Sequence, residues 1–492
     1  MRKVLLPAAI TVALLVSGVS LAQESPKPVA VPEPNWTEVA RKEFSGKPIG
    51  QTRWSFYAEE LPTGRVLACA QCDEMRIPAS TLKLLTGAAA LDRLGLGYQW
   101  ETKLFADKPA SKRKIEGNLY LKGYGDPALI TERLLLIAAD IRNRLFQEVT
   151  GDLVVDATYF DNELLNPAWG AMADNSDRSY VAATSAVSIN FNSFTGVAVP
   201  GEKMGDPALV YMEPVTRFVR VDSTATTGGP RAPLTLVASR IGTAARPVMQ
   251  VKGSIPSSLA AKRFYKQVPD PALYAGHLLK EFLEREGVKF GGTVRVAATP
   301  EGAQIVQTFT GPPLSEVIRY LNKHSNNFVA EMLLKTLGAQ QKGEPGTTAK
   351  GLEVVKEFAA DIGLNPGQVE IYDGSGLARK NQMTARQLGK VLDWVFHNAE
   401  IFPEYAASLP VAQTDGTIRR RLRNPKVAQR IRGKTGLLDG VTTLAGYMFP
   451  LGSKPIGYVF FVNGPGALGD IEAQQDRLMM QMMDFYTLEQ AP

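Results

Sequence analysis

At 492 residues the chain is longer than a single hydrophobic core usually supports, so two or three domains are expected. Hydrophobic residues make up 45% and charged residues 21%, a balance that excludes wholesale disorder. The formal charge of +6 comes without a Lys/Arg stripe interleaved with aromatics, so nucleic-acid binding gains no support.

Met1-Arg2-Lys3 is a short basic region, residues 4–19 are almost wholly apolar, and Ser20-Leu21-Ala22 ends in small residues spaced for cleavage. This is the pattern of a secretory signal peptide over 1–22, which directs the chain to the periplasm or an extracytoplasmic cell-wall space. An uncleaved anchor is the competing reading, but the apolar stretch is short for a span. No later stretch is long enough to cross a membrane, so no transmembrane anchor is expected after cleavage. Residues 23–35 form a Pro-rich leader. Strands are expected at 54–57 and 65–68, around the turn Leu61-Pro62-Thr63-Gly64. Cys69 and Cys72, the only two cysteines, read as a local disulfide or two inert thiols. A zinc site would need further ligands from a chain with three histidines, and a redox C-x-x-C usually opens a helix, whereas 65–67 and 75–77 look like strands.

A helix opens at Pro78-Ala79-Ser80, with Leu82, Leu85, Ala89, Leu91 and Leu94 at helical spacing. Between about 100 and 310 the texture changes to short strands, such as 118–121 and 152–155, separated by Gly/Pro/Asp turns. Residues 209–251 read as an all-β module, and 271–286 is the one clear helix of this region. Helices return at 315–323, 327–337, 347–362 and 384–397. Two strand-like runs, 442–449 and 456–462, and a Met-rich helix at 470–488, its methionines read as core filler, close the chain.

Three short motifs carry chemistry. In Ser80-Thr81-Leu82-Lys83, helical spacing puts the ammonium beside the hydroxyl. A lysine whose pKa is lowered by burial can then take the serine proton and make Ser80 a nucleophile. In Ser325-Asn326-Asn327, a second hydroxyl could pass a proton to a leaving amine, and the Asn327 amide could hold a substrate carbonyl while touching the lysine; a plain helix cap is the competing role for Ser325. In Lys434-Thr435-Gly436, the first two side chains can recognise a carboxylate, and Gly436 lets a substrate backbone approach an edge strand. The backbone N–H groups of Leu437 and Ser80 could form an oxyanion hole. Each motif alone is weak, since Ser111-Lys112-Arg113-Lys114 and Ser188-Ile189-Asn190 also match. Together, in order and in helix, loop and strand contexts, they form the set of penicillin-binding proteins and class A β-lactamases. A Ser-His-Asp triad using His324 competes, but no G-x-S-x-G elbow accompanies it.

On these motifs the sequence resembles the class C low-molecular-mass penicillin-binding proteins, the D-alanyl-D-alanine carboxypeptidase/endopeptidase family. Pro78-Ala79-Ser80-Thr81-Leu82-Lys83-Leu84, Gly125-Asp126-Pro127, Val187-Ser188-Ile189-Asn190-Phe191-Asn192, Asp373-Gly374-Ser375-Gly376-Leu377 and Asp415-Gly416-Thr417 extend the likeness from about residue 40 to the end. The resemblance implies an α+β fold: a penicillin-binding-protein/β-lactamase-like transpeptidase domain, an antiparallel sheet with helices, split by a large insertion that forms two smaller, mainly β domains. The expected division is a catalytic domain of 36–105 and 308–492, domain II of 106–184 and 248–307, and domain III of 185–247. The implied activity is serine-type D-Ala-D-Ala carboxypeptidase, with endopeptidase action as well, on peptidoglycan stem peptides through an acyl-enzyme on Ser80. β-Lactams would be covalent inhibitors, and neither cofactor nor metal is called for. Ser80, Lys83 and Ser325 would be catalytic; Asn327, Lys434, Thr435, Gly436, Leu437 and Arg379 would bind substrate. Leu437 stands where a small hydroxyl residue is usual and Gln413 where glycine is usual; the family's acidic residue for the substrate side chain falls somewhere in Asp174-Asn175-Ser176-Asp177. A β-lactamase, hinted at by Glu163-Leu164-Leu165-Asn166, and a non-catalytic cell-wall scaffold are the alternatives.

Overall fold

A computed structural model describes residues 32–45, 52–170, 172, 177–425 and 427–488. The signal peptide read at 1–22 and residues 23–31 of the Pro-rich leader lie outside these. The strands expected near Trp54 and Arg65 are β1 (Arg53–Glu60) and β2 (Arg65–Ala70). The motif strand is β3 (Ile431–Leu438), followed by β4 (Val441–Met448) and β5 (Ile456–Asn463). They form one antiparallel sheet in the order β2-β1-β5-β4-β3. The last strand of the chain therefore pairs with the first, and the strand bearing Lys434 lies at an edge.

Side chains alternate across a strand, so each strand feeds two cores. Tyr57, Ala445, Tyr447, Val459 and Phe461 enter a helical layer. Phe56, Leu444, Tyr458, Phe460 and Val462 pack against the helices Trp36–Phe44 and Leu468–Leu488. Every residue of β4 and β5 is buried, as expected of strands covered on both faces. Met479, Met482 and Met483 of the last helix fill that second core.

The helical layer comprises Lys83–Leu94, Leu314–Lys323, Asn327–Lys342, Thr348–Asp361 and Ala385–His397. The first is preceded by a 3-10 turn, Ala79–Leu82, that carries Ser80. Asn326, not Ser325, caps Asn327–Lys342, its side chain accepting from the Val329 N–H at 3.2 Å. The strand expected at 75–77 is absent. Arg76 makes a single bridge to Met383, and the Asn463 side chain holds both the N–H (2.7 Å) and the carbonyl (3.2 Å) of Ile77. Cys69 and Cys72 form a disulfide, with Arg386 donating to both sulfurs at 3.2 Å.

Gln99–Ala106 leads the chain out of this body and Gln304–Pro313 returns antiparallel beside it. With Leu119–Gly123, Leu153–Asp156 and Val294–Val296 they make a five-stranded sheet containing two parallel pairs. The expected helix is present as Pro271–Arg285, but a second, Thr131–Asp140, was not read from the sequence. Its Leu134-Leu135-Leu136-Ile137 run shows no clean stripe, because Leu135 (41% exposed) and Leu136 (71% exposed) point outward. Strands Ser193–Val199, Leu209–Glu213 and Lys262–Gln267 form one small sheet, and Arg220–Ser223, Val237–Thr243 and Arg246–Lys252 another. The boundary expected at 247/248 thus falls inside a strand, and the β-module's ladders run on to Gln267 because Lys262–Gln267 pairs back to Ser193–Val199.

Candidate active site

Ser80 sits in the 3-10 turn, immediately after Ala79, whose φ of +45° lies in the left-handed region. Two glycines make room for this turn. A side chain at Gly436 would come within 2.8 Å of the Ser80 nitrogen, and one at Gly376 would collide with the Ala79 carbonyl. Gly376 also has φ +78°. Gly376→Ala is therefore expected to destabilise the fold by roughly 2–3 kcal/mol and to slow acylation of Ser80. Thermal unfolding and stopped-flow acylation would check both; an unchanged melting temperature would show that the turn yields.

Lys83 is fully buried. Its Nζ donates to Ser80 Oγ at 2.9 Å, Asn327 Oδ1 at 2.7 Å and the Ser375 carbonyl at 2.6 Å. Burial lowers its pKa to about 7, against the opposing pull of Asp373 and Glu331. A neutral amine is thus present near neutral pH. In that form the contact reverses, and the Ser80 hydroxyl donates to Nζ.

The second serine has its own lysine. Lys434 Nζ donates to Ser325 Oγ at 2.7 Å, and burial, reinforced by the charge of Lys83, holds its pKa well below the usual lysine range. Ser325 has φ +54°, and with Asn326 acting as the cap its hydroxyl faces Lys434. The Asn327 amide is split: Oδ1 accepts from Lys83 while Nδ2 donates to the Tyr180 carbonyl at 2.9 Å. Thr435 Oγ1 donates to Thr417 Oγ1 at 2.8 Å, which brings the Asp415-Gly416-Thr417 turn to the site. Ser80, Ser325, Asn327, Arg379, Thr435 and Leu437 line one cleft of about 720 Å³. Gly436 belongs to its wall, while Lys83 and Lys434 lie beneath it. Arg379 is anchored to the Asp439 carbonyl at 2.8 Å. The structure therefore gathers all nine residues singled out in the sequence.

Sequence reasoning missed what holds Lys83 from behind. Glu331, fully enclosed, accepts from the N–H groups of Gly374 (3.1 Å) and Ser375 (2.9 Å). Asp373 accepts from Trp169 Nε1, the N–H groups of Gly376 and Ala378, and Asn381 Nδ2, at 2.6–2.9 Å. These two carboxylates fix the loop that presents the Ser375 carbonyl to Lys83. Burial, then the charge of Asp373, raises the Glu331 pKa to about 7. The signal was available: Glu331 lies four residues after Asn327, on the same helical face.

Other sequence candidates lie elsewhere. Ser111 pairs with Lys114 through backbone bonds at an exposed turn. Ser188 is buried, donating to the Ser185 carbonyl at 2.6 Å. Among the described residues no hydrogen bond joins His324 to either serine. Asp177 is committed to Lys266 (2.8 Å) and the Arg240 N–H (3.0 Å); residues 174–176 lie outside the described residues. Gln413 adopts φ +61° where glycine is usual, its amide donating to the Leu422 and Asn424 carbonyls.

The profile of the D-Ala-D-Ala carboxypeptidase 3 (S13) family matches residues 42–487. The chain belongs to that family. It is 33% identical to a D-alanyl-D-alanine carboxypeptidase of Actinomadura sp. (strain R39), over 88% of this chain and 81% of that one. It is 25% identical to the D-alanyl-D-alanine carboxypeptidase DacB of Haemophilus influenzae, over 90% of this chain and 91% of that one. The crystal structure of penicillin binding protein 4 (dacB) from Haemophilus influenzae superposes with a TM-score of 0.77 at 23% identity, covering 91% of this chain and 99% of that chain. A peptidoglycan endopeptidase of Bdellovibrio bacteriovorus, Bd3459, shares the fold more loosely, with a TM-score of 0.51 at 17% identity over 89% of this chain and 94% of that chain. This S13 chain is accordingly a serine-type D-Ala-D-Ala carboxypeptidase built on the penicillin-binding-protein fold. No helix among its described residues is long and apolar enough to cross a membrane.

Proposed function

We propose that the enzyme trims peptidoglycan stem peptides through an acyl-enzyme on Ser80. The observation that carries this reading is the buried Lys83 amine at 2.9 Å from Ser80 Oγ. Lys83 takes the hydroxyl proton as Oγ attacks the penultimate D-alanine carbonyl. The N–H groups of Ser80 and Leu437 stabilise the oxyanion. Ser325, proton-coupled to Lys434, protonates the leaving amine, and terminal D-alanine departs. Water then attacks the ester, its proton passing to the Ser325–Lys434 pair while Lys83 returns its proton to Ser80 Oγ, which restores both serine–lysine pairs. Lys434 and Thr435 recognise the terminal carboxylate, Gly436 admits the peptide to the edge of β3, Asn327 aligns it, and Arg379 and Leu437 meet the substrate side chain.

The same chemistry extends to endopeptidase cleavage when the leaving amine belongs to a cross-linked neighbour. β-Lactams would acylate the same serine; the Haemophilus influenzae relative has been crystallised with one. The β-lactamase alternative gains no support from its candidate carboxylate, since Glu163 does not line the cleft. With a chromogenic cephalosporin the expected result is one burst per protein molecule; sustained turnover would favour the lactamase. With purified muropeptides, mass analysis should show loss of one alanine and separation of cross-linked dimers. Absence of both products would refute the activity.

We infer further that 36–105 and 308–492 form the catalytic domain, with the insertion leaving and returning through Gln99–Ala106 and Gln304–Pro313. The third domain then runs to Gln267 rather than to 247. Export to the periplasm or an extracytoplasmic wall space follows from the 1–22 signal.

A further inference from the structure

Beyond the catalytic cleft lies a second groove of about 640 Å³ that shares Tyr180, Ser325 and Asn327 with it. That volume is in the range of small-molecule sites. One wall is the insertion's sheet. Tyr265 and Glu213 both pair with Thr195 in register, so the three side chains form a cross-strand row on one face. The other wall carries Phe191, whose ring is held against Tyr320 (5.7 Å) and Phe328 (6.2 Å). Tyr265 is 53% exposed, an unusual position for a ring without a partner to cover it.

The charge of the groove is informative. Its lining includes Glu132 and Glu213 but no lysine or arginine among the described residues, and Glu213 is neutralised by Arg263 at 3.0 Å. The lining itself offers a carboxylate-bearing peptide no counter-charge, and the guanidiniums beside it are engaged, Arg263 with Glu213 and Arg178 with the Tyr180 hydroxyl. A neutral sugar ring matches better, because its C–H face can lie on an aromatic ring and its hydroxyls can donate to the Glu132 carboxylate.

We propose that this groove is a saccharide subsite that holds the N-acetylated glycan strand of the wall polymer while its peptide occupies the catalytic cleft. The proposal rests on the peptidoglycan reading above but is tested apart from it. The full chain carrying Ser80→Ala is titrated by calorimetry with a tetramer of N-acetylglucosamine and, separately, with a sugar-free pentapeptide ending in D-Ala-D-Ala. The tetramer should bind; adding Tyr265→Ala should weaken it about tenfold, whereas Tyr265→Phe should keep it. The pentapeptide should bind alike in all three. With Ser80 intact, Tyr265→Ala should lower kcat/KM about tenfold on a disaccharide-pentapeptide but not on the free pentapeptide, and β-lactam acylation should be unchanged.

Failure of the tetramer to bind, or binding indifferent to Tyr265→Ala, overturns the proposal. Loss of pentapeptide affinity in Tyr265→Ala also overturns it, in favour of a peptide subsite. If Ser80 proves not to be acylated, the functional reading fails, yet the tetramer titration still decides this one.

Discussion

The Ser80→Ala protein is expected to take up no fluorescent penicillin and to release D-alanine at least about 10⁴-fold more slowly than the native chain. The size of the effect follows from covalent catalysis: without Oγ no acyl bond can form, and what remains is substrate binding beside an oxyanion hole. The fold should survive, because Ser80 is only half-buried and the turn around it is held by Ala79, Gly376 and Gly436. The experiment is discriminating because the cleft contains a second serine–lysine pair. Ser325 Oγ lies 2.7 Å from Lys434 Nζ, close to the 2.9 Å between Ser80 and Lys83. Mass mapping of the labelled peptide in the native chain should place the adduct on Ser80. Labelling that survives in Ser80→Ala and maps to Ser325 would reverse the two roles.

Lys83→Met should reduce the acylation rate by about 10³-fold, within the range for losing a positioned general base. Methionine fills most of the lysine volume, so the buried channel need not collapse. It leaves Asn327 Oδ1 and the Ser375 carbonyl without their donor, a loss of about 1–3 kcal/mol in stability. In the native chain, acylation should rise with pH through about 7, where burial has placed the Lys83 pKa. The sign follows from the role: below that pH the amine is an ammonium and cannot take the Ser80 proton. A stopped-flow series from pH 5.5 to 8.5 checks this. A flat profile, or Lys83→Met acylating within threefold of native, would remove Lys83 from the proton path.

The site was legible in the sequence because its chemistry is concentrated in three short motifs whose residues are local. Helical spacing alone brings Lys83 to Ser80, and the strand pattern after Lys434 makes an edge that a substrate can join. What a motif cannot reveal is its competitors' surroundings. Ser111 and Lys112 to Lys114 have the right letters but an exposed turn, and Ser188 is sealed beneath its own backbone bond. The place of Glu331 on the Asn327 face of its helix was readable from spacing, but its pairing with the Asp373 loop was not, because those partners are distant in sequence and backbone N–H groups carry no side-chain signature. In the fold, the strands of the catalytic sheet were found to within a few residues. The 75–77 segment was misread because an amide from Asn463, far along the chain, replaces ladder bonds there. The helix Thr131–Asp140 was missed because two of its leucines face solvent and blur its period. The strand Lys262–Gln267 carried no sequence signal that ties it to the β-module, because it comes after an irregular stretch and pairs with Ser193–Val199 rather than with the strand before it.

The pairing of Gln99–Ala106 with Gln304–Pro313 has a topological result. The chain from Asp107 to Ala303 leaves and returns through two neighbouring strands that a short hairpin turn could join directly, although parts of it, such as Tyr159 and Phe160, pack into the catalytic core. The excursion does not thread the catalytic sheet, and its closure entropy grows only slowly with its length. The fold can therefore tolerate growth or exchange of the outer parts of that region without re-routing a single catalytic strand, provided the segments that reach the site, with Trp169 on Asp373 and the Tyr180 carbonyl on Asn327, are kept.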